Sequence, residues 1–75
     1  MITINVSDFV GRDGIQSVNE NEFFYEFNLD TDKRVVLHKR LTGDKITIET
    51  DGNAIMIELV EITNIDSIIN HIKSL

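Results

Sequence analysis

The sequence predicts an α+β domain: an antiparallel β-meander of about five strands, with one C-terminal α-helix packed on one face. Three observations predict it. Apolar and polar residues alternate along most of the chain, the period-2 mark of half-buried strands. Short polar segments, two of them containing glycine, interrupt the alternation where turns would fall. The apolar spacing then lengthens to that of a helix over the final segment. At 75 residues the chain reads as a single domain, 1–75.

Taken in order, Ile2, Ile4 and Val6 alternate with Thr3, Asn5 and Ser7 and predict a first strand. Residues 11–21 carry Gly11 and Gly14 around Ile15 and Val18, which fits either a loop or a short edge strand. Phe23, Tyr25, Phe27 and Leu29 then share one face, followed by Val35, Leu37 and Leu41, by Ile46 and Ile48, and by Ile55, Ile57 and Leu59. Asp51-Gly52 is a strong hairpin signal, favouring a type I′ turn with both central residues at positive φ. That turn sets Thr50 opposite Asn53, Ile48 opposite Ile55, Ile46 opposite Ile57 and Lys45 opposite Glu58. Hydrophobic pattern and turn chemistry choose this register independently.

Face-matching extended backwards pairs Leu41 with Ile46, Leu37 with Thr50, Phe27 with Leu37 and Phe23 with Leu41. Lys39 is the misfit on the inner face, expected at an edge or with its ammonium near Tyr25. Ile62, Ile65, Ile68, Ile69, Ile72 and Leu75 form the apolar stripe of the helix. Thr63-x-x-Asp66 is its expected capping box, with His71 and Lys73 near the negative end of the dipole.

Composition excludes several classes. With no cysteine, disulfides are impossible, and two histidines cannot make a zinc site without carboxylates. An apolar content of 41% argues for a folded core. No apolar run is long enough to span a membrane, and the N-terminus lacks a cationic region before its apolar residues. The chain is therefore expected in the cytoplasm, away from membranes. Gly11-Arg-Asp-Gly14 lacks the lysine and spacing of a phosphate loop, and no nucleophile has recognisable context. No enzyme activity and no cofactor are expected.

Thirteen acidic residues against seven basic give a net charge of −6, unevenly spread. Residues 1–32 carry −6, residues 33–45 carry +4 and residues 46–75 carry −4. Lys33, Arg34, Lys39, Arg40 and Lys45 could form a basic stripe for nucleic acid. They could equally pair with the acidic strands on either side, which the sequence favours because opposite charges stabilise cross-strand pairs. His38 is expected between Glu26 and Glu49, an ion cluster or, less readily, a metal or acid–base site.

The outer face is interrupted by Phe24, Val36, Ala54, Met56 and Val60, with Phe24 expected beside Arg40. These positions suggest a contact surface built on Phe24, Val36, Arg40 and Met56. Asp8, Asp13, Glu20, Glu22, Asp30 and Asp32 either imitate the phosphates of nucleic acid or confer solubility. The functional expectation is a small acidic protein-binding module. Its sharpest version is a phage- or mobile-element-type inhibitor of a nucleic-acid-handling protein, and a homodimer is one form its association could take. The alternative is nucleic-acid binding through the basic third strand.

Overall fold

The computed structural model describes residues 4–75. Among them, five strands form one antiparallel sheet in sequence order: β1 (Ile15–Glu20), β2 (Phe24–Leu29), β3 (Arg34–His38), β4 (Lys45–Thr50) and β5 (Asn53–Glu58). A single α-helix, α1 (Ile65–Lys73), follows. The meander and C-terminal helix have the expected architecture.

The β4–β5 hairpin has the expected register throughout, from Thr50↔Asn53 to Lys45↔Glu58. Its turn differs in kind. Gly52 takes a positive φ of 76° and Asp51 does not, so the turn is not type I′.

The other registers shift by two residues. Phe27 pairs with Val35 and Tyr25 with Leu37, where the sequence suggested Phe27 opposite Leu37. The cause is a shorter turn. Leu29 donates its N–H to the Lys33 carbonyl and Asp32 donates to Leu29, closing a loop of only Asp30, Thr31 and Asp32. Asp32 holds this turn in the left-handed region at φ 65°, a conformation that aspartate tolerates better than most residues. A two-residue shift keeps each side chain on its face, so the core composition survives.

Between β3 and β4, Leu37 pairs with Ile48 while Thr42 bridges Lys45. Four residues, His38 to Leu41, therefore span what two residues, Ile46 and Thr47, span in β4. The excess carries Lys39 and Arg40 out of the strand, and both are exposed.

The N-terminal segment departs most. Ile2 and Thr3 of the expected first strand lie outside the described residues, and the rest of that segment is not strand. Val6–Asp8 form a 3₁₀ turn. The Asp8 carboxylate accepts the Asn5 N–H at 2.9 Å, Phe9 donates to the Val6 carbonyl, and the bend delivers Phe9 to the core. The first strand is Ile15–Glu20 instead, with a bulge between Ile15 and Ser17. The bulge inserts Gln16 and turns both Ile15 and Val18 inward, so strict alternation is lost.

The core joins Phe9, Tyr25, Phe27, Leu29, Val35, Leu37, Ile46, Ile48 and Ile57 with Ile62, Ile68, Ile69 and Ile72 from the helical end. Phe23, expected inside, is 66% exposed. The Asn21 side chain accepts the N–H groups of Phe23 and Phe24 at 2.7 and 3.0 Å, so Phe23 belongs to the β1–β2 turn. The helix cap lies one residue later than expected. Asn64 accepts the Ser67 N–H at 2.9 Å, leaving Asp66 to meet Arg12 at 3.1 Å.

Candidate protein-contact face

With α1 on the inner face, the outer face of the sheet is left uncovered among the described residues. Side chains alternate across a strand, so the outer positions are Asn19 in β1, Phe24 and Glu26 in β2, Val36 and His38 in β3, Thr47 and Glu49 in β4, and Ala54 and Met56 in β5. One continuous row crosses all five strands: Asn19–Glu26–Val36–Glu49–Ala54. Beside it, Phe24 pairs with His38 and Thr47 with Met56. Val36 and Phe24 are half-buried by their neighbours, while Met56 is 57% exposed. Three of the four expected contact residues thus share this face.

Arg40, the fourth, lies off the strand. It is exposed and forms no ion pair among the described residues. The excursion that expels it opens a hollow of about 590 Å³ lined by His38, Arg40, Leu41, Thr42, Thr47 and Glu49. His38 and Thr47 belong to both, so the hollow continues the outer face. Phe24 neighbours His38, not Arg40, with ring centroids 6.3 Å apart. The expected Phe24–Arg40 pair is absent because the tight β2–β3 turn shifts the register by two residues and sets Phe24 opposite His38.

The five cations of residues 33–45 do not make a stripe. Arg34 donates to the Glu26 carboxylate on the outer face. Lys39 pairs with Glu20, its ammonium 4.9 Å from the centre of the Tyr25 ring. Lys33 donates to the backbone oxygen of Leu75. Lys45 stands opposite Glu58, and Arg40 points into the hollow's rim. Three of the five are thereby engaged in different directions.

The register also separates the expected histidine cluster. His38 meets Glu49 with Nε2–Oε1 at 2.6 Å, whereas Glu26 is taken by Arg34. The Arg34 hydrogen bond, helped by its charge and by Asn19, holds the Glu26 carboxyl below the ordinary carboxylate range, against an opposing effect of burial. The same pair raises Arg34, keeping it fully charged. Among the described residues no three histidine, aspartate or glutamate side chains are grouped to hold a metal.

The acids proposed to imitate phosphates are divided as well. Glu22 sits in the β1–β2 turn, while Asp30 and Asp32 sit in the β2–β3 turn at the opposite end of β2. Glu20 is neutralised by Lys39 and Asp8 accepts the Asn5 N–H. No helix is long and apolar enough to cross a membrane among the described residues.

Sequence reasoning missed Phe9 and the exit of Arg40. Phe9 has no periodic neighbours and carries no strand signal. The Arg40 excursion had one signal, Lys39, whose charge on an apolar face marked the place where the alternation fails. Comparison with known protein families, with curated proteins and with solved structures gives no match.

Proposed function

We propose that this chain is a non-enzymatic protein-binding module that presents the uncovered face of its sheet to another protein. The observation that carries the reading is the set of apolar side chains Phe24, Val36 and Met56 on that face, interspersed with Glu26, His38, Thr47 and Glu49. Apolar side chains mixed with polar ones on an open sheet face match the composition of a non-obligate protein–protein contact. The hollow beside Arg40 extends it and offers a guanidinium with no ion-pair partner among the described residues, a side chain enriched in binding hot spots.

Within that class, the excess of 13 acids over 7 bases favours a basic partner. Internal pairing engages several of the cations, so the surplus acids dominate the surface. An inhibitor of a nucleic-acid-handling protein, of the kind carried by phages or mobile elements and acting in the cytoplasm, fits this charge. A second copy of the chain is the other occupant the face admits.

The test is capture of partners from the native host with wild-type protein and with a Phe24→Asp, Val36→Asp double variant whose fold is verified by circular dichroism. Loss of the captured protein only in the variant supports the reading; unchanged capture removes it. The nucleic-acid alternative requires Arg34 and Lys39 to leave Glu26 and Glu20. Salt-dependent retention on single-stranded DNA or RNA would replace the protein reading, and no retention at low salt eliminates the alternative.

A further inference from the structure

We infer that β5 pairs edge to edge with β5 of a second copy of this chain, joining two sheets across a two-fold axis at Met56. This rests on the free edge of the sheet and not on its outer face, so it holds or falls separately from the reading above.

The free groups follow from the hydrogen-bond pattern. Leu59 donates its N–H to the Asp44 carbonyl at 2.9 Å, continuing the β4–β5 pairing by one residue. In an antiparallel pair, alternate residues exchange hydrogen bonds and those between them face away. Asn53, Ile55, Ile57 and Leu59 therefore face β4, while Ala54, Met56 and Glu58 turn their N–H and C=O groups outward. Among the described residues β5 pairs with β4 alone, and Ala54, Met56 and Glu58 are all exposed.

The two edges of the sheet differ. β1 carries the bulge between Ile15 and Ser17, a device that bends an edge away from pairing. β5 has six residues in unbroken register and no proline or bulge, with its one charge at the end, in Glu58. Such an edge is a template for another strand.

The sequence of β5 complements itself. With Met56 opposite Met56 of the second copy, Glu58 falls opposite Ala54 and meets no second acid. Lys45 stands beside Glu58 within its own sheet. On the inner face Ile55, half-buried in one copy, falls opposite Ile57 of the other, an apolar cross-strand pair. Roughly six interstrand hydrogen bonds close this register. Each copy carries a charge of −6, so added salt strengthens the association by screening mutual repulsion.

Sedimentation equilibrium over a range of concentrations, with and without added sodium chloride, is expected to show mass rising from 8.6 kDa to twice that value, more readily in salt. Amide exchange supplies the residue-level readout. Exchange at Ala54, Met56 and Glu58 slows as concentration rises, while Ile55 and Ile57 are protected at every concentration. Ala54→Pro removes an outward N–H without touching the β4 ladder and is expected to leave a monomer, whereas Phe24→Asp keeps the dimer. A mass of 8.6 kDa under all conditions overturns the inference. So does a dimer in which the wild-type Met56 amide exchanges as fast as in dilute protein, a readout that does not depend on the proline variant folding.

Discussion

The ring of Phe9 meets the ring of Phe27 edge-on, with centroids 4.9 Å apart and planes at 82°, and neither residue is exposed to solvent. Tyr25 adds a tilted contact with Phe9 at 5.9 Å. An irregular N-terminal segment thus supplies the central aromatic of the core. Phe9→Ala is expected to cost about 3–5 kcal/mol through lost burial and a residual cavity. A small domain has little more than this in total, about 5 kcal/mol at the low end. Urea titration should find the variant largely unfolded, and an unfolding midpoint close to wild type would show that Phe9 is peripheral.

The helix depends on its own start signal. Asn64→Ala removes the acceptor for the Ser67 N–H and is expected to cost about 1 kcal/mol. In a domain of this size that lowers the melting temperature by about 4–8 °C. Thr63→Ala, which changes the position that the sequence pattern first suggests, should leave the melting temperature nearly unchanged. Equal losses from the two substitutions would contradict the observed cap.

Acid should weaken the fold partly through Glu26. Its carboxyl is depressed in the folded state, chiefly by the Arg34 hydrogen bond. A depressed carboxylate contributes stability above its unfolded value, about 4.3, and that contribution is lost as pH falls through the folded value. Glu26→Gln carries no such dependence, so its stability should fall less steeply on acidification than that of wild type. Parallel pH profiles from urea unfolding would exclude the pair as a contributor.

Much of this architecture is legible in the sequence, and the failures have local causes. Asp51-Gly52 fixes the hairpin register by closing a two-residue loop between Thr50 and Asn53, and that register keeps Ile46, Ile48, Ile55 and Ile57 on one face. Asp30–Lys33 contains no glycine, so nothing in the pattern announces that Asp32 takes a left-handed conformation and tightens the turn. The resulting two-residue shift leaves every face intact, which is why alternation alone cannot detect it. In β1 the inserted Gln16 destroys the alternation that would identify a strand. The candidate face was legible as Phe24, Val36 and Met56, since outer positions follow from parity. Arg40 was not, because its departure depends on how β3 meets β4, and Lys39 on the apolar face was its one local sign.

Chemical-shift mapping tests most directly whether the uncovered sheet face receives a protein partner. A captured partner is added to isotope-labelled protein and the amide and methyl signals are followed. The expected result is perturbation centred on Phe24, Val36, His38, Thr47 and Met56, with the exposed positions of α1, such as Asn70, unmoved. Perturbation centred on α1, with the Val36 and Met56 methyl signals unchanged, would contradict it.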